Sequence, residues 1–300
     1  MKVLDFYNHQ GHQYEFFKLG FDFYLLNPSL SAPLWNYNHR PLNGNVNICS
    51  LEDIINQDFD IVMYRTGSDE ALLSLYRSRG SKLVFVSQTT FEPTPSIMPD
   101  AVVWNSHVPF SKYRDKFSCS NHYIPHGYDP EEFCPLENVS KNGRVLSLAN
   151  MFKKRDDLLG YSMWNKINKQ TGICDVFGHH NEDIGAKRIS SFEDQILKFS
   201  QYSIYLNTTL HSAMPRSRAE AMMCGMPLVT TKNYGIDLHV MPDECFYIRS
   251  EDEAVNAINK LLNDDNLYEK MSLASRSAAK REFSLASYLK KWNKVFEEIL

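Results

Sequence analysis

No stretch of this sequence approaches the roughly 18 consecutive apolar residues that a membrane-spanning helix requires, which argues against an integral helical span. The opening residues, MKVLDFYNHQ, lack the apolar core and small-residue cleavage site of a secretory leader. A cytoplasmic protein is therefore expected, with peripheral attachment to a membrane left open. Closely spaced cysteine pairs are also missing. Cys49, Cys119, Cys134, Cys174, Cys224 and Cys245 are scattered, which argues against a zinc site and against a disulfide framework and leaves free buried thiols as the expectation. There is no low-complexity segment and no compositional sign of disorder or coiled coil. An excess of positive charge is lacking as well, the formal net charge being -4. Residues 1–137 hold ten Lys or Arg against sixteen Asp or Glu, whereas the remainder holds 22 against 20. A long nucleic acid lying across the first half is thereby disfavoured, and a phosphate-rich ligand is drawn to the second.

What is present is enough chain for two domains: 300 residues, 43% of them apolar. Short apolar runs bounded by turn residues alternate with segments of helical period, the pattern of parallel α/β structure. In the first half, strands are predicted near Lys2–Phe6, Phe23–Asn27, Ile61–Tyr64, Leu83–Val86 and Ala101–Trp104, and helices near Gln13–Leu19, Glu52–Gln57 and Asp69–Arg79. The pattern then restarts, with strands near Arg144–Leu148, Cys174–Phe177, Ser203–Leu206 and Leu228–Thr231, and helices near Asp156–Lys169, Phe192–Phe199 and Pro215–Cys224. The fold expected is two doubly wound parallel sheets in tandem, residues 1–138 and 139–284. The segment from Pro125 through Pro135 to Gly143, rich in Pro, Gly, Asn and acidic residues, is the linker candidate. Ser250 and Glu253 form a capping box before a terminal run of helices, the last of which, Leu285–Ile299, carries an apolar face of Tyr288, Trp292, Val295, Phe296 and Ile299.

The chemistry concentrates between Asn207 and Thr231, NTTLHSAMPRSRAEAMMCGMPLVTT. Met214 and Pro215 open a helix with proline in its first position, and Gly225 with Pro227 stops it. Its N-terminus faces the crevice at the carboxyl ends of the strands, where open α/β sheets bind ligands. Arg216 and Arg218 fall in the first turn, where the helix dipole disfavours cations. Two compensations are open: an ion pair from Arg216 to Glu220 four residues on, or a pyrophosphate held at the helix N-terminus.

This stretch resembles the donor-site motif of retaining glycosyltransferase family 4 (GT-B fold, glycosyl transferases group 1), in which a glutamate, seven residues and a second glutamate precede Ala-Met-x-x-Gly-x-Pro-Val. The second glutamate falls on Glu220, in Glu220-Ala221-Met222-Met223-Cys224-Gly225-Met226-Pro227-Leu228-Val229, and the resemblance implies that it binds the donor ribose. The first falls on Ser212 and is absent, so His211 or Ser212 would stand in for it toward the transferred sugar, while a helix cap is the plain alternative for Ser212. Ile124-Pro125-His126-Gly127-Tyr128-Asp129, running on to Phe133 and Pro135, is similar to the segment joining the two domains of that family. The resemblance further implies that Asn150, Lys154 and Arg155, after the first strand of the second domain, lie at the donor diphosphate, against the plain reading of a solvated basic loop. Gly178 would close the second donor-domain strand, and Ile189, within Lys187–Ser191, would lie where the base is read. Gly11 and His12 would sit in the first turn of the N-terminal domain near the phosphate.

The function implied is transfer of a sugar from a nucleoside diphosphate sugar, most commonly a UDP-sugar, to an acceptor hydroxyl, with retention and without a metal, Lys154, Arg155, Arg216 and Arg218 stabilising the departing diphosphate. The donor is a co-substrate, and no resident cofactor is expected. The acceptor side fits a glycan, a lipid-linked glycan or a small molecule better than a modified nucleic-acid base. Two alternatives stay open: a nucleotide-sugar epimerase of the same fold, or a subunit that binds sugar nucleotide without catalysis. Oligomeric state is not legible.

Overall fold

The computed structural model describes residues 1–27, 35–212, 215–233 and 240–300. In chain order the first part runs β1 (Lys2–Phe6), α1 (Gln10–Phe17), β2 (Asp22–Leu26), β3 (Val46–Cys49), α2 (Leu51–Ile54), β4 (Ile61–Tyr64), α3 (Glu70–Ser78), β5 (Lys82–Ser87), β6 (Ala101–Trp104), α4 (His107–Tyr113) and β7 (Ser120–Tyr123). The second runs β8 (Val145–Leu148), α5 (Asp156–Leu159), α6 (Tyr161–Thr171), β9 (Cys174–Phe177), α7 (Phe192–Gln201), β10 (Ile204–Asn207), α8 (Arg216–Met223), β11 (Leu228–Thr231), β12 (Phe246–Ile248), α9 (Glu251–Asn263), α10 (Asp265–Glu282) and α11 (Leu285–Ile299). These elements group into two compact units, Met1–Gly127 with Leu285–Leu300, and Tyr128–Ser284.

The first unit is a seven-stranded sheet of order β3-β2-β1-β4-β5-β6-β7, every pairing parallel. Its inner strands are largely apolar on both faces, as a parallel sheet covered on both sides requires. Val3, Phe23, Met63, Val84 and Val103 pack into one core together with Phe16, Trp292 and Phe296 of the helices covering that face. Their sequence neighbours Leu4, Val62, Phe85 and Trp104 enter the core on the opposite face, with Leu73 and Tyr76 of α3. On α11, Tyr288, Trp292, Val295, Phe296 and Ile299 are buried in the first of these cores, so the last helix is a structural part of the first unit.

The second unit is a five-stranded parallel sheet of order β12-β11-β10-β8-β9. The same alternation recurs: Val145, Ile204, Leu206 and Val229 face one core, and Leu146, Tyr205 and Leu228 the other. The chain divides at Gly127 rather than at residue 138, because the segment expected to be a linker is packed. Tyr128 and Phe133 are fully buried in the second unit's core, and the Tyr128 N–H donates to Phe283 O at 2.8 Å beside a Tyr128–Ser284 bridge. Gly127 has a steric reason within the first unit, since a Cβ there would lie 2.4 Å from Cβ of Tyr288. All six cysteines are free, with Cys119 and Cys134 half-buried rather than buried.

Candidate functional site

In the second sheet the connection from β8 leads outward to β9, and the connection from β10 leads the opposite way to β11. The neighbours β8 and β10 therefore flank a topological switch point, and the loops at their carboxyl ends border the crevice that such a reversal opens. Four segments meet the edge of that sheet: residues 149–155 after β8, 178–189 after β9, 208–212 after β10, and the first turn of α8.

The loops after β8 and β9 are laced together. Asn150 Oδ1 accepts the His179 N–H at 2.8 Å, the Met151 N–H donates to His179 O at 2.9 Å, and Asn181 donates to Ala149 O while accepting from the Phe152 N–H, both at 2.6 Å. Met151 and His180 take positive φ values of 54° and 58° to make these contacts, a conformation side chains rarely adopt. Gly178 belongs to the same lacing. It holds φ +149°, and a Cβ on it would lie 1.9 Å from Ala149 O, so only glycine lets the two loops approach. Asn150 and Gly178 thus build the platform, while Lys154 and Arg155 stand exposed upon it in a single turn of 3₁₀ helix. Lys153 leans away toward Asp183 at 3.5 Å. Ile189 is half-buried against the core beyond β9, and Lys187 there holds the Gly178 N–H through its carbonyl at 3.0 Å.

Helix α8 starts at Arg216, with Pro215 as its N-cap rather than its first residue, and Ser212 is not the cap. Met214 lies outside the described residues. Gly225 follows the helix with φ +73°, satisfying the left-handed stop read from sequence. The N-terminal turn is tied to the sheet through Tyr205, whose hydroxyl donates to Ser217 Oγ at 2.6 Å; burial pushes that phenol up to about 12. His211 is exposed, its backbone N–H held by Leu158 O at 3.0 Å.

Glu220 is buried at this end of the sheet. Its Oε2 accepts from Gln195 Nε2 at 2.7 Å and its Oε1 from Arg216 Nη2 at 3.0 Å. The guanidinium of Arg216 also lies 5.3 Å from the Tyr128 ring centroid. Of the two compensations left open for this arginine, the geometry contains the ion pair. Arg218 departs from expectation. Its side chain is fully buried and donates through Nη1 to Thr230 Oγ1 at 2.8 Å, bracing α8 on β11 instead of facing the crevice. Helical periodicity is the cause: two positions beyond Arg216 lies the opposite face of the helix, toward the core.

Gln195 was missed by sequence reasoning, although a signal existed. It lies in the apolar stripe of α7 formed by Phe192, Ile196 and Phe199, and a polar residue at such a position needs a buried partner. In the first unit, Gly11 and His12 lie inside the first turn of α1, one step later than the turn expected to hold them. His12 Nδ1 meets His126 Nδ1 at 3.0 Å. The Asp-x-Asp triplet of the sequence, Asp58 to Asp60, lies at the amino end of β4, where Asp60 accepts the Lys2 N–H at 2.7 Å, and so at the end of the sheet opposite the ligand side. No group of three or more potential metal ligands occurs among the described residues.

Residues 191–278, which include α7, β10 and α8, match the family model described as glycosyl transferases group 1. No curated protein matches the sequence significantly. Solved structures share the architecture across the whole chain. Sucrose-phosphate synthase from Thermosynechococcus elongatus is 10% identical, with a TM-score of 0.73 over 100% of this chain and 99% of that one. HepE from Anabaena, in complex with UDP-glucose, is 12% identical, with a TM-score of 0.73 over 99% of this chain and 100% of that one. A glycosyltransferase from Rickettsia africae is 16% identical, with a TM-score of 0.71 over 99% of this chain and 98% of that one. The fold is the GT-B fold, two parallel-sheet α/β domains.

Proposed function

We propose that this protein is a glycosyltransferase that moves a sugar from a nucleoside diphosphate sugar to an acceptor hydroxyl, the donor held by the second unit and the acceptor by the first. The carrying observation is Glu220, a buried carboxylate fixed by Gln195 and Arg216 beside the switch point, inside the segment that matches glycosyl transferases group 1. A carboxylate has about four acceptor positions and can receive both hydroxyls of a ribose diol, and two flanking donors fix its plane for that task.

Breaking the anomeric bond leaves negative charge on the diphosphate. Lys154 and Arg155, exposed on a braced loop, and the N–H groups opening α8 would meet that charge, so the reaction as proposed needs no metal ion. Arg216 acts through Glu220, as a positioning residue. Arg218 is withdrawn from phosphate contact by its burial. Retention at the anomeric carbon and a family 4 type of hexosyl transfer follow from the motif resemblance, and a UDP-sugar is the donor favoured by the likeness to HepE, which was solved with UDP-glucose. A cytoplasmic location belongs to the same reading.

A thermal-shift panel of UDP, GDP, ADP and their glucose conjugates tests the proposal, because a ligand that binds only the folded state raises the melting point. Incubation with the stabilising sugar nucleotide then separates the outcomes. Hydrolysis or transfer supports the transferase; isomerisation without an acceptor means an epimerase; binding without turnover means a non-catalytic subunit. A panel without any stabilising nucleotide removes the donor site altogether.

A further inference from the structure

β3 closes one side of the seven-stranded sheet, pairing with β2 and with no other strand. Asn45 O accepts the Phe23 N–H at 2.8 Å and Cys49 O accepts the Asn27 N–H at 3.0 Å, so the odd-numbered residues of this segment turn their backbone groups toward β2. Backbone groups alternate sides along a strand, and those of Val46 and Ile48 therefore point outward. The Val46 N–H is taken by Asn43 O in the preceding turn at 3.2 Å, whereas the N–H and C=O of Ile48 have no hydrogen-bond partner among the described residues. The Ile48 side chain is exposed too, as are Asn47 before it and Leu51 just beyond the strand. Residues 42–51 contain neither a charged residue nor a proline. Charges, prolines and covering elements are what normally keep a sheet edge from pairing with another chain. The other three edge strands have such protection: a bridge from Phe177 to Lys187 continues past β9, the His122–Glu298 ion pair at 3.0 Å ties β7 to α11, and Lys232 lies 5.5 Å from the Tyr247 ring of β12.

We propose that β3 pairs antiparallel with β3 of a second copy of this chain across a two-fold axis, joining two sheets edge to edge. A two-fold perpendicular to the sheet makes the meeting strands antiparallel and brings a residue on the axis against its own counterpart. Ile48 is self-complementary at such an axis, because its N–H and C=O both face outward: each copy donates to the other and accepts from it, the hydrogen-bonded pair of an antiparallel ladder. Both flanking positions on the outer side are engaged within the chain, Val46 N–H by Asn43 O and Ser50 N–H by Asp53 Oδ2 at 2.7 Å. A long foreign strand would thus gain little beyond Ile48, whereas the two-fold uses that residue twice. The two isoleucine side chains lie side by side on one face and shield each other from water. Absence of charge lets identical strands meet, since like charges directly opposite repel. Glu52 and Asp53 open α2 beyond the strand, and the two-fold sets them at opposite ends of the contact. Strands of four residues bury less than the roughly 1,000 Å² expected of a lasting interface, so the dimer is weak and reversible.

Sedimentation velocity of the full chain from about 5 to 500 µM should show a reversible monomer–dimer equilibrium with a dissociation constant on the order of tens to hundreds of micromolar. Ile48→Lys, at an exposed position, sets like charges on the axis and should raise that constant about tenfold or more while the chain stays folded by circular dichroism. Cross-linking tests the register independently. Residues facing each other as a hydrogen-bonded pair have Cα atoms about 5.5 Å apart, within reach of a disulfide. Ile48→Cys oxidised with diamide should therefore form a covalent dimer that the parent chain does not form. Leu51→Cys, exposed but displaced to opposite ends of the contact, should not cross-link. A parent chain that stays monomeric throughout the range, a dimer of parental affinity in folded Ile48→Lys, failure of Ile48→Cys to cross-link, or equal cross-linking at both positions overturns the inference.

Discussion

Arg216 and Glu220 stand one helical turn apart on α8 with Nη2 3.0 Å from Oε1, their side chains only 10% and 6% exposed. A cation in the first turn of a helix opposes the helix dipole, and this pairing cancels the opposition while fixing the carboxylate. Gln195 reaches the second oxygen from a different helix, so the orientation of Glu220 does not depend on the arginine alone. The two interactions separate a binding role from a structural one.

Glu220→Gln keeps the side-chain volume and removes the charge. Donor nucleotide affinity should fall by roughly tenfold or more, the worth of hydrogen bonds to a charged group. Calorimetric titration with UDP checks this, and an unchanged dissociation constant removes Glu220 from the donor site. Gln195→Ala should give a smaller loss in the same direction, because Arg216 still holds one oxygen.

Lys154→Ala and Arg155→Ala test the basic turn. Both residues are exposed, and their side chains form no hydrogen bond among the described residues, so stability should stay within about 0.5 kcal/mol of the parent. Turnover should drop by about a hundredfold where the lost cation meets the departing diphosphate, with a modest change in nucleotide affinity. A parental rate in both variants would return this loop to ordinary solvated surface.

The buried strands were legible, and of the four edge strands β3, β7, β9 and β12 only β9, Cys174–Phe177, was. β1, β4, β5, β6, β8, β10 and β11 lie inside their sheets and are apolar on both faces, which writes them into the sequence as short apolar runs. β3, β7 and β12 are edges, and Asn47 and Ile48 of β3 face solvent, so no run marks it. Glu220 and the end of α8 at Gly225 could be read from motif and turn chemistry. The inward turn of Arg218 could not, because a partner such as Thr230, twelve positions on, is set by tertiary packing.

Gly178→Ala should be strongly destabilising although it adds one methyl group. The new Cβ would overlap the Ala149 carbonyl, a backbone atom that cannot swing aside, at a φ that side chains avoid. A loss of at least about 2 kcal/mol in urea unfolding is expected, together with weaker nucleotide binding as the paired loops separate. Parental stability would mean that the two loops adjust freely and do not form a fixed platform under Lys154 and Arg155.

Asp175 gives a pH dependence at the other end of the second sheet. Hydrogen bonds from the Arg144 guanidinium, at 2.6 and 2.8 Å, and from the Tyr202 hydroxyl, at 2.9 Å, hold its carboxyl below the usual carboxylate range against the opposing effect of burial. The folded state therefore binds this proton less readily than the unfolded one. Its contribution is complete above the unfolded value, about 4, and is lost as pH falls through the lower folded value. Asp175→Asn should cost stability at neutral pH, and the gap between variant and parent should close on acidification below about pH 4. The side chain is about a third exposed, so solvent screens the effect and the expected gap is modest. Urea midpoints taken from neutral to acid pH measure it. A constant gap across that range would show that the Arg144–Asp175 pair acts through packing, not through charge.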